Sequence, residues 1–298
     1  MINKALISSA LAAALSIAAT PALACSTCKC GDPTITLLGM EKPYTNRFRI
    51  GLDYQIRSET EGDPAINEAT TDEDRLTLGL MYSFNQRLTL MARIPYVWKE
   101  REDSTLATME AEGLGDIDLI ARYNLQPENN RRHIYGITGG LRLPTGEEVE
   151  DSNGNSLDID VQPDANATSV TFGGYYQYFA DPWFYSASIN YVTYTDEGFQ
   201  DFEPGDSIVG SLRAQYAWTY RIAGQFGLDY RHSGKDQFGG VTDDNSGGFL
   251  GNLWLGIAGR VGQELLLYAG AQIPVIEDLN GDQEEDTAIQ IGLTYDFE

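Results

Sequence analysis

The chain has 298 residues and a formal net charge of −24 at pH 7, with 44 acidic residues against 20 Lys and Arg. Such an excess of acid excludes nucleic acid as a partner, because binding there depends on basic side chains that neutralise phosphates. After the N-terminal segment, no stretch approaches the roughly 18 uninterrupted apolar residues of a membrane-spanning helix. One large all-β domain fits the length of the remaining chain.

The first residues have the pattern of a secretory signal peptide. Lys4 precedes an uncharged, Ala-rich run over residues 5–19, and Ala22-Leu23-Ala24 forms a small-residue cleavage site. We therefore expect residues 1–24 to be removed and the mature chain to start at Cys25. Residues 25–45 would then form a periplasmic Cys-containing segment, followed by one domain over residues 46–298.

Residues 47–57 alternate between apolar and polar side chains. The apolar positions are the even ones: Phe48, Ile50, Leu52, Tyr54 and Ile56. A period of two is typical of a β-strand, because successive side chains leave the backbone on opposite sides. The same pattern recurs in residues 76–84, 88–98, 117–125, 135–143, 170–178, 183–191, 208–218, 220–230, 249–257, 265–273 and 289–297.

The gaps between these twelve segments alternate strictly between long and short. Such alternation indicates an antiparallel up-and-down transmembrane β-barrel with loops at one rim and tight turns at the other. Aromatic residues cluster near both rims, as in the interfacial girdles of outer-membrane barrels. We predict a bacterial outer-membrane location, among lipid and lipopolysaccharide, with both termini in the periplasm. A secreted soluble β-sandwich is the alternative, but it does not explain the alternation of gap lengths.

Arg and Asp occupy the polar face of the predicted strands, which would face the lumen. We expect these residues to set selectivity: Arg47, Arg49, Asp53, Arg57, Arg75, Arg87, Arg93, Asp116, Asp118, Arg122, Arg142, Arg213, Arg221, Asp229 and Arg231. One interpretation is a narrow cationic pore below an acidic vestibule. The other is an interior filled by salt bridges, as in small barrels. Twelve strands favour a narrow or gated passage under either interpretation.

Two short motifs resemble a known family. Gly113-Leu114-Gly115-Asp116, followed by Arg122-Tyr123, and the run over residues 141–146 are similar to paired signatures of the bacterial outer-membrane family labelled as meta-pathway phenol-degradation or transporter proteins. The resemblance covers residues 113–146 only. It implies an outer-membrane barrel associated with uptake of small, often aromatic, organic compounds.

Three cysteines, Cys25, Cys28 and Cys30, lie together in the predicted periplasmic segment. Thiolates at this spacing could bind a soft metal ion, copper as Cu(I), or form part of a zinc site. A disulfide between two of them, or lipidation of Cys25, are the competing interpretations.

These patterns lead to two functional hypotheses. The first is a channel or transporter for small solutes, with an Arg-rich lumen and acidic extracellular loops. The second is a largely closed barrel that serves a periplasmic metal or redox partner through its cysteines. We do not expect an enzyme, because neighbouring strand residues such as His232 and Ser233 point to opposite faces. The acidic loop residues 151–155 and 278–282 resemble calcium loops only partly and are interpreted as solvated.

Overall fold

The computed structural model describes residues 45–64, 66–126 and 132–297. The predicted signal peptide and the three cysteines lie outside the described residues, so the predictions about them stay predictions. The strands are β1 (Arg47–Glu61), β2 (Ala69–Ser83), β3 (Leu88–Asp103), β4 (Thr108–Leu114), β5 (Ile117–Asn124), β6 (His133–Leu143), β7 (Ser169–Ala180), β8 (Trp183–Tyr194), β9 (Phe202–Glu203), β10 (Ser207–Ala217), β11 (Ile222–Ser233), β12 (Gln237–Phe238), β13 (Val241–Thr242), β14 (Gly248–Val261), β15 (Leu265–Leu279), β16 (Gln283–Glu285) and β17 (Ala288–Phe297). A 3₁₀ turn spans Phe199–Asp201. Within the described ranges, no helix is long and apolar enough to cross a membrane.

Twelve antiparallel strand positions close into one barrel, as predicted. Strand β1 pairs with β2 on one side and with β17 on the other, which joins the two ends of the sheet. Strands β4 and β5 share one position, since both pair with β3 and only two residues separate them. Each neighbouring barrel strand runs antiparallel to the last, as an up-and-down meander requires. We call the rim with the short turns the turn end and the opposite rim the loop end.

The outer face of the barrel is apolar and the inner face is polar. In β1, the outward residues Phe48, Leu52 and Ile56 are 37 %, 39 % and 44 % exposed. The inward residues Arg49 and Asp53 are 3 % and 6 % exposed. This arrangement inverts that of a soluble protein and matches a wall that meets lipid outside.

Aromatic side chains pack on the outer face near the turn end. Ring pairs form between Tyr82 and Phe84, with centroids 4.6 Å apart, and between Tyr295 and Phe297, with centroids 4.7 Å apart. Their amphipathic rings suit the boundary between hydrocarbon and headgroups.

The strands near the loop end are longer than the hydrophobic pattern predicts. Strand β1 continues to Glu61 and β2 begins at Ala69, so most of the predicted gap over residues 58–74 is a hairpin. The charged gap over residues 99–112 is likewise a hairpin of β3 and β4. Both faces of these extensions are polar. The apolar half of the alternation therefore disappears where the wall leaves the hydrocarbon region, and the sequence pattern ends early.

A charge placed in the middle of the outer face tests which face meets lipid. Leu228 in β11 is 50 % exposed and lies opposite Leu212 of β10. We expect Leu228→Arg to destabilise the folded barrel in bilayers by about 2–4 kcal/mol, the cost of a lipid-facing Arg near the midplane. Urea-dependent unfolding in liposomes would measure it.

His232 provides the matched control for that variant. It lies on the same face of β11, one position from the end of the strand, where the cost falls to about 0–1 kcal/mol. Equal destabilisation by Leu228→Arg and His232→Arg would contradict the assignment of the lipid face.

Candidate functional site

The interior of the barrel is lined by Arg side chains that are paired with acids. The pairs are Arg49 with Asp296 (2.6 Å), Arg75 with Glu73 (2.7 Å), Arg93 (3.6 Å) and Arg142 (2.8 Å) with Asp118, Arg213 with Asp229 (2.6 Å), and Arg231 with Glu285 (3.1 Å). Arg57 contacts Glu59 and Glu285. The carboxylates that face these guanidinium groups offset much of their charge, so the lining differs from a purely cationic pore.

The remaining predicted interior residues near the turn end have other partners. Arg47 lies 3.5 Å from Asp296. Asp53 accepts hydrogen bonds from the Gln290 amide, at 2.7 and 2.8 Å, and from the Tyr268 hydroxyl. Arg122 stacks over the ring of Tyr175 at 3.6 Å. These contacts link strands that are neighbours or next but one around the barrel wall.

Two of the predicted lumenal residues are placed elsewhere. Arg87 lies in the turn between Ser83 and Leu88, and Arg221 lies in the turn between Ala217 and Ile222. Both side chains are exposed. The structure therefore places both residues in turns rather than in strands, because the alternation extends one residue before β3 and β11 begin.

The connection between β6 and β7 folds into the barrel at the loop end. Its residues 159–165 are buried, with Asp160 and Val161 each 0 % exposed and Asp164 2 % exposed. We call residues 158–167 the inserted segment. The sequence pattern gave these residues only as part of a long gap between strands and did not predict their burial.

Two aspartates anchor the inserted segment to basic side chains of the wall. The Asp160 carboxylate lies 3.5 Å from Arg101 of β3, and its carbonyl oxygen accepts a hydrogen bond from Lys99 at 3.1 Å. Asp164 lies 3.8 Å from Arg75 and 4.0 Å from Arg142. The anchors therefore span strands β2, β3 and β6 on one side of the mouth.

Asp116 organises the start of this connection. Its carboxylate accepts the backbone N–H groups of Thr145 (3.1 Å) and Gly146 (2.9 Å), and its own N–H donates to Asp164 (3.1 Å). A Cβ added at Gly115 would lie 2.9 Å from the Asp164 carboxylate. The two motifs that carry the family resemblance thus meet at the base of the inserted segment. Asp116, 0 % exposed, holds backbone there rather than lining an open lumen.

An apolar cluster gathers three long connections over the mouth. Ile159, Ala165, Ala167 and Phe202 are buried together, and Phe238 packs against them with its ring 4.9 Å from that of Phe202. Strands β9, β12 and β13 form a small sheet beside this cluster. We call this assembly the cap. The sequence signal that could have predicted the cap is the presence of single apolar residues in otherwise polar loops.

Residues 151–155 form a loop closed by its own hydrogen bonds. Asp151 Oδ1 accepts the N–H groups of Asn153 and Asn155 at 2.8 and 2.9 Å. The side-chain amides of the same residues donate to Oδ2 at 3.4 and 3.1 Å. These hydrogen bonds, those from Asn155 first, lower the pKa of Asp151 to about 2. The turn therefore satisfies this carboxylate without a bound cation.

A small cleft, partly open to solvent, lies at the loop end beside β1 and β16. Its lining includes Glu59, Glu61, Arg231, Ser233, Gln283 and Glu285. Sequence reasoning missed the acids among them, and also missed Glu73, Lys99 and Arg101. They lie in the polar strand extensions that the alternation pattern did not reach.

Removal of the Asp116 carboxylate should loosen the connection that follows β6. We expect Asp116→Ala to destabilise the loop end by about 2–4 kcal/mol, because two partly buried hydrogen bonds lose their charged acceptor. Proteolysis of the intact barrel between residues 144 and 168 would become faster. Asp151→Ala is the control, since its carboxylate closes only its own exposed turn. Equal protease resistance of Asp116→Ala and the wild type would contradict this role.

A closed twelve-stranded barrel with an apolar outer wall and a charged interior is the fold of bacterial outer-membrane β-barrel proteins. Solved structures of such proteins resemble it. The COG4313 outer membrane channel from Pseudomonas putida F1 superposes with a TM-score of 0.69 at 17 % identity, over 89 % of this chain and 99 % of that one. The translocator domain of the autotransporter NalP from Neisseria meningitidis gives 0.52 at 11 % identity, over 87 % and 91 %. No family model and no curated protein matches the chain.

Proposed function

We propose that this protein is an outer-membrane channel for small, uncharged organic solutes, narrowed at the loop end by the inserted segment. The observation that carries the proposal is the anchoring of this segment by Asp160 and Asp164 above an interior of paired charges. The similarity in fold to an outer membrane channel supports the class of function.

Charge compensation along the wall bears on the solute. A pore that selects anions or cations presents rings of one sign. Here the Arg side chains of β1, β2, β6, β10 and β11 have carboxylates as partners. A charged solute would have to lose hydration without gaining an unpaired counter-charge, whereas an uncharged solute meets no such cost. The compensated lining therefore favours uncharged solutes.

Aromatic side chains inside the barrel give its interior an apolar component. Tyr175, Phe184, Trp254 and Tyr268 face inward and are at most 9 % exposed. They alternate with amide and guanidinium groups, for example where Arg213 stacks over Trp254 at 4.4 Å. A passage of mixed aromatic and polar character suits small organic compounds. The narrower label of phenol degradation stays a prediction from the motifs.

The proposal includes an orientation in the membrane. The cap and the inserted segment would face the cell exterior and lipopolysaccharide, and the short turns and both termini would face the periplasm, as is usual for barrels of even strand number. The cleft beside β1 and β16 lies next to the anchors of the inserted segment, because Glu61 of its lining forms an ion pair with Arg101.

Uptake by liposomes tests the channel directly. Liposomes that contain the refolded chain should swell faster in small uncharged organic solutes than in sodium salts of organic anions of equal size, and the ionic current should show weak ion selectivity. Glu148→Gln, which changes an exposed acid in the connection between β6 and β7, should behave as the wild type. No swelling and no current in bilayers would refute the channel. Strong anion selectivity would refute the preference for uncharged solutes.

The second hypothesis, a metal or redox role for Cys25, Cys28 and Cys30, rests on residues outside the described ranges. We keep it as a proposal that copper or zinc uptake by the wild type, lost in Cys28→Ser with Cys30→Ser, would support.

A further inference from the structure

Two buried aspartates face each other in the cap. Asp236 and Asp243 flank the hairpin of β12 and β13, whose residues Gln237 and Thr242 are paired. The N–H of Asp243 donates to the carbonyl of Asp236 at 2.9 Å, which continues the pairing by one step. Directly opposite residues of an antiparallel pair project to the same side, with Cβ atoms about 4.5–5.5 Å apart. The two carboxyl groups are therefore neighbours on one face of the hairpin.

Each carboxyl group has one oxygen with a hydrogen bond and one without. Asp236 Oδ1 accepts the N–H of Gly205 at 2.6 Å, and Asp243 Oδ1 accepts the N–H of Asn245 at 3.0 Å. The Oδ2 atoms of both residues are buried and have no hydrogen-bond partner. The residues themselves are 1 % and 4 % exposed. A buried carboxylate oxygen without a partner is costly, and two on facing side chains are more so.

The nearby basic residues do not supply the missing partner. Lys235 forms an ion pair with the exposed Asp244 at 2.5 Å, and Arg231 forms one with Glu285 at 3.1 Å. Burial raises the pKa of Asp236 to about 6, with Asp243 adding to the rise and the Gly205 hydrogen bond and Arg231 opposing it. Asp236 is therefore mainly ionised above pH 7, where a bound cation would offset its charge.

We propose that a hard divalent cation of the Ca²⁺ class binds between Asp236 Oδ2 and Asp243 Oδ2. Across the described part of the chain, no group of three or more His, Cys, Asp and Glu side chains is placed to hold a metal ion. Backbone carbonyl oxygens and water would have to complete the shell, which Ca²⁺ accepts readily and Zn²⁺ does not. With only two carboxylates, we expect weak affinity, in the range of about 10⁻⁴–10⁻³ M.

A cation at this position would hold together two connections of the cap and, through Ser246, the connection between β15 and β17. Gly205, which donates to Asp236, belongs to the connection before β10. Ser246 donates to the Asp243 carbonyl through its hydroxyl at 2.8 Å, and its own carbonyl accepts the Asn280 amide at 2.8 Å. The ion would therefore stiffen the cap, and this consequence is independent of whether the barrel conducts solutes.

Calcium binding by the refolded full-length chain tests the proposal. Equilibrium dialysis with radioactive Ca²⁺ at pH 7.5 should show one more bound ion per chain in the wild type than in Asp236→Asn, Asp243→Asn or the double variant. Asp244→Asn, the adjacent exposed acid, should bind as the wild type. Heat-induced unfolding followed on gels confirms that each variant is folded.

The thermal midpoints add a second, independent criterion. Without calcium, in EDTA, the two Asn variants should be at least as stable as the wild type, because the substitution removes the repulsion between the carboxylates. With about 10 mM Ca²⁺, some tenfold above the weak end of the expected range, the wild type should gain several degrees and the variants should not. The proposal fails if the double variant binds as much calcium as the wild type. It also fails if the wild type binds no calcium. A gain in stability from pH 7 to pH 5 would then show that a proton neutralises the pair.

Discussion

Neutralising Asp160 and Asp164 together is expected to raise the conductance of the channel several-fold. In Asp160→Asn with Asp164→Asn, the inserted segment loses its carboxylate contacts with Arg75, Arg101 and Arg142. The amides keep the size of the side chains and their capacity to accept hydrogen bonds, so the change is mainly one of charge. Single-channel recording in planar bilayers would measure the effect.

The same variant should also become selective for anions. The wall at the inserted segment keeps Arg75, Lys99, Arg101 and Arg142 but loses two of the carboxylates that face them. A surplus of positive charge at a narrow mouth attracts anions and excludes cations. The reversal potential in a salt gradient reports this shift separately from the size of the current.

Glu148→Gln is the matched control, because it removes one charge from an exposed position of the same connection. It should leave conductance and selectivity unchanged. If the wild type conducts and the double variant has the same conductance, the inserted segment is not the constriction. If neither conducts, the channel itself is refuted.

Breaking the ion pair between Arg213 and Asp229 is expected to give the largest loss of stability. Arg213→Ala leaves the Asp229 carboxylate, 2 % exposed, without the guanidinium that donates to it at 2.6 Å. Removing one partner of a buried pair costs about 3–5 kcal/mol, because a buried charge is left without compensation. The loss of stacking on Trp254 adds to this cost. Urea-dependent unfolding in liposomes would measure the difference.

A double replacement separates the cost of an unpaired charge from the value of the pair. Arg213→Met with Asp229→Leu removes both charges and keeps most of the volume, so it should lie far closer to the wild type than Arg213→Ala does. Gln272, which donates to Asp229 at 3.0 Å, would then lose its acceptor. This lost hydrogen bond would explain a modest remaining loss of stability in the double variant. If Arg213→Ala proves as stable as the wild type, water compensates Asp229 and this region of the interior is hydrated.

The interior pairs and the inserted segment form one continuous arrangement of charge. Arg142 contacts Asp118 within the wall and Asp164 of the inserted segment, and Arg75 likewise contacts Glu73 and Asp164. The same residues therefore set both the position of the inserted segment and the charge of the passage. A substitution there is expected to change conductance and selectivity together, whereas one at Asp229 should change mainly stability.

The sequence by itself determined the barrel and the faces of its strands. Alternation such as that of Phe48 and Arg49 is a local property, since each residue's side of the sheet follows from its parity. The order of long and short gaps then gave the meander, and a chain of twelve such strands closes on itself. The ends of the strands were predicted less accurately, as Arg87 and Arg221 show. Both lie in turns, but the alternation of polar and apolar residues already includes them.

Only the tertiary structure decided which charges meet. Arg49 and Asp296 lie 247 residues apart, and Asp116 and Asp164 lie 48 apart, so their contacts depend on strand register and on the path of a long connection. The inserted segment shows the same limit. The sequence placed its acids only in a long gap between strands, since nothing local distinguishes Asp160 from the exposed Glu148. The basic wall that makes burial of Asp160 favourable comes from strands β2, β3 and β6, and it exists only once the barrel has closed.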